Sequence, residues 1–267
     1  MLKKRIIFTL LYDSGSFMLS RNFRLQRVGN LNWLLRNYNF EHIAFFIDEL
    51  VVLDVTRGEG NPDAFVETLK AIAANCFMPI AAGGGLRSLD QARRLLRSGA
   101  DKIVVNSPLF GHPALVKELA QEFGQQCIVG SVDIKRELDG RYRIYTDHAM
   151  QPVEEPPQAA LRWLNERLVG ELYLNSINQD GTGQGYDFAL LDQLPVDCRV
   201  PVIMAGGVGN GVHLAEGLAD PRVDAVATAH LFNFVGEGLQ RARESLMSQG
   251  TDLAAWPAMN ELQLGNG

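Results

Sequence analysis

The sequence is short of positive charge: 25 lysine and arginine residues stand against 31 aspartate and glutamate, the net charge is −6, and no basic run occurs. That balance excludes a general nucleic-acid or anionic-membrane binder, whose affinity rests on lysine and arginine meeting phosphate. Cysteine is equally scarce. Cys76, Cys127 and Cys198 are an odd number with no CxxC or Cys/His ligand spacing, which excludes a disulfide framework and fits the reduced thiols of a cytoplasmic protein. No apolar run approaches the roughly 18 residues that a bilayer span needs. The start, MLKKRIIFTLL, imitates a secretory signal, but the apolar run is short and no small-residue cleavage site follows it, so a first strand is expected there. A Walker loop, a hydrolase triad and a paired-histidine motif are all missing. His42, His112, His148, His213 and His230 are scattered, and neither a metal nor a cofactor is expected.

What the chain has is alternation. Short apolar runs at 5–11, 49–55, 79–83, 102–106, 127–133, 171–177, 201–206 and 225–228 read as buried strands. Between them lie segments such as DAFVETLKAIAANC, SLDQARRLLRSG, ALVKELAQEFG and QAALRWLNERLVG, in which apolar residues recur at three and four. Eight such units in 267 residues predict an α/β fold of the (β/α)8 TIM-barrel type. An open doubly wound sheet fits less well, because no G-x-G-x-x-G opens any helix.

An internal repeat supports the barrel. MPIAAGGGL (78–86) matches VPVIMAGGV (200–208), with Pro79 and Pro201 standing 122 residues apart, and Leu109-Phe110 matches Leu231-Phe232 at the same distance. Two half-barrels of about 1–123 and 124–250 are expected within a single unit of 1–267, with 251–267 as a loosely packed tail. RYRIYTDHAMQPVEEPP (141–157) interrupts the fifth unit with period-two alternation and prolines, and reads as a two-stranded flap over one end.

The candidate chemistry gathers at strand ends. Gly84-Gly85 and Gly206-Gly207 close the third and seventh strands and leave amides open to a ligand. Asn106-Ser107 and Ala229-His230 lie where a short helix can begin beyond the fourth and eighth, so two phosphate sites across the mouth are expected. Asp180-Gly181-Thr182, after the sixth strand, is a tight turn able to present a carboxylate, an amide and a hydroxyl. Asp133 ends the fifth strand, where a carboxylate partly withdrawn from water serves as general acid or base. Its partner by the repeat is Leu11, which has no such chemistry.

These segments resemble the cyclase subunit of imidazole glycerol phosphate synthase, the HisF family, across essentially the whole chain: MLKKRII, ELVVLD, GGG, GADKIVVN, FGQQ, VDIKR, SINQDGTGQGYD and AGGVG fall in family order. The resemblance implies two phosphate sites and two aspartates that cyclise a phosphoribulosyl formimino carboxamide ribotide. Ammonia would come along the barrel axis from a HisH-like glutaminase. It assigns the second aspartate to Asp133, and it puts Leu11 where the first belongs and Leu19 where a loop lysine belongs. Asn175 and Ala205 replace small hydroxyl residues and His230 a phosphate-binding serine, while Asp54, Gly85, Asn106, Asp180, Gly181 and Gly207 fit the pattern. At the other end, Arg5, Glu49, Lys102 and Glu171 match the charged ring through which ammonia enters, and Asp101 matches an acid that contacts the glutaminase. The bland alternative for that ring is an exposed set of salt bridges worth little stability.

An altered mouth with a kept entry ring resembles a branch of paralogues encoded with surface-polysaccharide genes. That likeness implies acetamidino formation on a phosphorylated or nucleotide-sugar substrate, together with a glutaminase and an ATP-using amidotransferase. Three other readings stay open: a histidine-pathway cyclase in which Asp13 substitutes for the missing acid, a non-catalytic ammonia-channel scaffold, and a related phosphoribosyl isomerase barrel.

Overall fold

The computed structural model describes residues 3–38, 43, 45–58, 60–165, 168–230 and 237–254. Its strands, in chain order, are β1 (Arg5–Asp13), β2 (Ser16–Arg21), β3 (Arg24–Gly29), β4 (Glu49–Asp54), β5 (Ile80–Gly83), β6 (Lys102–Val105), β7 (Ile128–Arg136), β8 (Tyr142–Thr146), β9 (Gln151–Pro152), β10 (Glu171–Ser176), β11 (Val202–Ala205) and β12 (Ala225–Thr228). Eight of them, β1, β4, β5, β6, β7, β10, β11 and β12, pair in parallel in that order, and β12 returns to β1 to close the ring. This is the (β/α)8 barrel that the alternating runs predict. The helices are α1 (Leu31–Asn37), α2 (Pro62–Ala73), α3 (Leu89–Arg97), α4 (Ser107–Gly111), α5 (Pro113–Phe123), α6 (Pro157–Asn165), α7 (Gly211–Ala219) and α8 (Gly238–Ser248). None of the described helices is long and apolar enough to cross a membrane.

Period-two alternation decides what each strand gives to the axis. Ile6, Phe8 and Leu10 of β1 join the core between sheet and helices, while Ile7 packs inside the barrel with Val51, Ala81, Val104, Val129 and Ile203. The helices follow from equally local chemistry. Asn61 caps α2 by accepting from the Asp63 and Ala64 amides, Pro62 opens the helix, and Phe65, Val66, Leu69 and Ile72 bury one face.

Three aspartates placed just before strands tie neighbouring strands together. Asp48 accepts from the Ile6 amide at 2.8 Å, Asp101 from the Ile80 amide at 2.8 Å, and Asp224 from the Val202 amide at 2.9 Å. Asp48 also takes two hydrogen bonds from Arg243 of α8, at 2.9 and 2.8 Å, with both side chains almost fully buried. Breaking such a pair on one side costs about 3–5 kcal/mol, because the other charge stays buried and uncompensated. Arg243 donates as well to the Ala254 carbonyl at 2.6 Å, and Leu253 is buried and bridges to Lys4. The start of the expected loose tail is therefore packed. Residues 255–267, and with them Leu231-Phe232 of the repeat, lie outside the described residues.

Two hairpins extend the mouth. β7 runs past the barrel to Arg136 and turns into β8 and β9, which is the flap that 141–157 predicts. The segment after β1, where the resemblance implies a loop, is the hairpin β2–β3. Its tight turns use positive φ at Ser14, Gly15, Asn22 and Phe23, the backbone that two-residue hairpin loops require.

Candidate active site

Above the strand ends lies a cavity of about 1530 Å³. The inward alternation of β1, β7 and β10 supplies its floor: Thr9, Ser131 and Tyr173 line it, and the Tyr173 hydroxyl meets Thr9 Oγ1 at 3.0 Å across the barrel. One step further out on the same strands stand Leu11, Asp133 and Asn175. Thus one strand face carries, from bottom to top, the charged ring, the hydroxyl floor and the mouth.

Asp133 is held from both sides. Asn106 donates to Oδ2 at 2.8 Å and Asn175 to Oδ1 at 3.0 Å. Burial pushes the Asp133 carboxyl from 3.8 up to about 7; the Asn175 and Asn106 amides oppose that rise, while the charge of Asp180 adds to it. A carboxyl poised near neutrality both takes and returns a proton at physiological pH. The two amides also fix its orientation.

The opposite side of the mouth carries a patch of leucines. Leu11 on β1 sits four strands around the ring from β7, and Leu19, Leu25 and Leu53 line the cavity with it. Asp13 pairs with Ser16 at the hairpin turn and is not on the cavity wall. The hairpin is pinned over the cavity by Asp180. The Ser20 hydroxyl donates to Asp180 Oδ2 at 2.5 Å and the Phe23 amide at 2.9 Å, while the Asn22 side chain donates to the Ile177 and Asn178 carbonyls. Burial raises the Asp180 pKa and these donors hold it down. Only glycine fits at 181: its φ is +65°, and a Cβ there would lie 1.9 Å from the Ser20 carbonyl oxygen.

Of the sequence-predicted mouth residues, Gly84, Gly85, Asn106, Ser107, Asp133, Asp180, Gly181, Gly206, Gly207, Ala229 and His230 all line this one cavity. Thr182 does not; its hydroxyl donates to the Gln179 carbonyl at 2.8 Å. The short helix expected after β6 is present as α4. Its preceding Asn106 spends its side-chain amide on Asp133. Gly84 turns at φ +111°, and a Cβ there would collide with the Asp54 carbonyl, so the β5 end packs on β4 with its backbone bare toward the mouth. Burial lowers the His230 pKa. Among the described residues no group of three or more His, Cys, Asp or Glu is arranged to hold a metal ion.

At the far end of the axis, Arg5, Glu49, Lys102 and Glu171 form a closed ring. Arg5 meets Glu49 at 3.1 Å and Glu171 at 2.8 Å, and Lys102 meets Glu49 at 2.7 Å and Glu171 at 3.1 Å. Their side chains are 22, 3, 20 and 13 % exposed in the order Arg5, Glu49, Lys102, Glu171, so the exposed-bridge alternative does not describe them. Burial raises the Glu49 pKa against the pull of Lys102 and Arg5. The Asp101 carboxylate is committed to the β5 backbone through the Ile80 amide.

A family model described as histidine biosynthesis protein matches residues 28–237. A protein of Parasynechococcus marenigrum (strain WH8102), provisionally named imidazole glycerol phosphate synthase subunit hisF2, is 42% identical over 261 residues, covering 97% of this chain and 97% of that protein. The chain belongs to the HisF family. Within this family member, four of the cavity residues that sequence reasoning missed shape the site. Thr9 and Tyr173 form the floor and Ser20 anchors the hairpin, all hidden in apolar or unremarkable runs. The fourth is His148, which the flap hangs into the cavity. Period-two counting along β1 and β10 from the charged ring would have found the first two.

Proposed function

We infer that this HisF-family barrel is the ammonia-receiving synthase subunit of a glutamine amidotransferase that builds an acetamidino group on a nucleotide sugar. A HisH-like glutaminase would supply ammonia and an ATP-using amidotransferase the activated acetamido group. The observation that carries the reading is the apolar wall of Leu11, Leu19, Leu25 and Leu53 facing Asp133 across the cavity. Proton transfer in the family cyclisation wants a carboxylate and a cation where Leu11 and Leu19 stand. An acetamido methyl, by contrast, gains from burial against leucine, by about 0.8 kcal/mol per carbon group.

The chemistry needs one well-placed base. Once the acetamido oxygen has been converted to a leaving group, the ammonia nitrogen forms the new C–N bond, the C–O bond breaks, and the proton shed by the attacking nitrogen passes to Asp133. The Asp133 carboxyl near pH 7 suits that transfer. The ion ring, lying on the same axis as the Thr9–Tyr173 floor, supports entry of ammonia from the barrel's other end.

The test is steady-state turnover of the formimino carboxamide ribotide at saturating ammonium by the native protein and by Leu11→Asp. The native protein is expected to turn over at least about a hundredfold more slowly than the median enzyme rate of about 10 per second, with partial recovery in Leu11→Asp. Native turnover in the ordinary enzyme range would make this chain a histidine-pathway cyclase and overturn the reading.

A further inference from the structure

The turn that joins β8 to β9 has a backbone its residues do not favour. Asp147, His148 and Ala149 follow one another at φ of 49°, 55° and 64°, three consecutive left-handed residues without a glycine, in which Cβ crowds the backbone. Strain of this kind persists where surrounding structure enforces it, and it collects at ligand sites. Here the Met150 amide holds the turn shut, donating to the Thr146 and Asp147 carbonyls at 3.2 and 3.0 Å.

What the turn achieves is placement. Asp147, His148 and Met150 stand on the cavity wall. The charges that act on His148 are those of Asp147 on its own turn, Arg57 and Asp54 from the end of β4 and the loop after it, and Asp13 from the end of β1. The flap therefore starts on β7, beside Asp133, and delivers an imidazole to the β1–β4 side of the mouth. That imidazole is half-buried and makes no hydrogen bond to any described residue.

The surroundings select what it can bind. Burial lowers the His148 pKa, so at neutral pH the ring offers one N–H donor and one bare nitrogen acceptor. Three carboxylates surround it against one guanidinium, and Arg57 already donates to the Phe23 carbonyl at 2.9 Å. A phosphate would be repelled there, because like charges disfavour its approach. A hydroxyl can accept from the ring N–H or donate to the bare nitrogen, and carboxylates accept from its neighbours.

We propose that His148, with Asp54 and Asp147, forms a subsite for the hydroxyl groups of a neutral sugar ring, on the side of the cavity opposite Asp133. This rests on the nucleotide-sugar reading above and adds to it where the sugar lies. The two glycine-bordered strand ends remain for the phosphates.

The experiment is a titration of isotope-labelled protein followed by NMR, with UDP-N-acetylglucosamine, UDP and inorganic phosphate as separate probes. The His148 ring signal is assigned by its loss in His148→Asn, a replacement that tolerates the left-handed turn. The expected result is a His148 shift with the nucleotide sugar that neither UDP nor phosphate produces. His148→Asn should weaken nucleotide-sugar binding about tenfold and leave UDP binding unchanged, as loss of one hydrogen bond to a ligand predicts. An equal shift with phosphate alone would make His148 an anion contact and overturn the proposal. Shifts at the Gly84, Gly85, Gly206 and Gly207 amides with a silent His148 would overturn it while keeping the nucleotide-sugar reading. No response anywhere to the nucleotide sugar would overturn both.

Discussion

Asp133→Asn should change how stability depends on pH, by an amount the site itself sets. In the folded protein burial holds the Asp133 carboxyl at about 7, whereas in the unfolded chain it returns to 3.8. Between those values the native state keeps a proton that the unfolded state has released, so the native protein loses stability as pH rises through this window. From near pH 5 to near pH 8 the loss attributable to this one group is about 2.5 kcal/mol, at about 1.36 kcal/mol per unit of pKa difference. Asparagine carries no such proton. Its amide also leaves one of the two donors, Asn106 or Asn175, facing another donor, a cost of about 1–3 kcal/mol that does not vary with pH. Urea unfolding of both proteins at the two pH values reads the effect, since the titrating groups not coupled to Asp133 are common to both and cancel. The variant should gain about 2.5 kcal/mol relative to the native protein on going from near pH 5 to near pH 8. A relative stability flat to within about 0.5 kcal/mol would show that Asp133 ionises as an ordinary carboxylate, and the argument for a base poised near neutrality would fall.

Two further outcomes follow from contacts far from the mouth chemistry. Arg243→Met strands the buried Asp48 carboxylate with only the Ile6 amide, and the urea midpoint should report a loss of about 3–5 kcal/mol; a loss under about 1 kcal/mol would mean that Asp48 finds water or a proton at little cost. Gly181→Ala should free the β2–β3 hairpin without unfolding the barrel, so that amide exchange across 16–29 quickens by about tenfold or more while β4 and β10 stay protected. Unchanged exchange in the hairpin would show that the Asp180 contacts do not hold it.

The eight barrel strands were legible because each is a short apolar run between polar breaks, and burial on both faces writes that signal directly into the residues. The β2–β3 hairpin was not, since RLQRV is half polar and exposed, and its existence depends on Asn22 and Phe23 meeting the loop after β10, far away in sequence. The glycine ends and Asp133 could be placed at one mouth because each closes a strand of the alternating pattern. Thr182 was placed at the mouth from its turn and is not there, because its hydroxyl closes the turn on the Gln179 carbonyl, a local bond that the sequence does not distinguish from a ligand contact. His148 looked like any other scattered histidine. Its position depends on a turn of three left-handed residues, which no glycine or proline announces. The Asp48–Arg243 pair joins residues 195 apart, a distance over which charge patterning carries no signal.

The hydroxyl contact between Thr9 and Tyr173 closes the barrel floor with a polar pair rather than with carbon alone. Because it spans the barrel between β1 and β10, a solute passing between these two groups from the ion ring to the mouth, as the proposed function requires, would take over the partners that they offer each other. Ammonia both gives and receives hydrogen bonds, so it can stand in for either hydroxyl as it passes. An ammonium ion can only give, and in this dry layer it would also have to surrender its hydration. On the proposed ammonia route the floor would discriminate by protonation state, and a nitrogen source arriving at the mouth that way would arrive as the nucleophile.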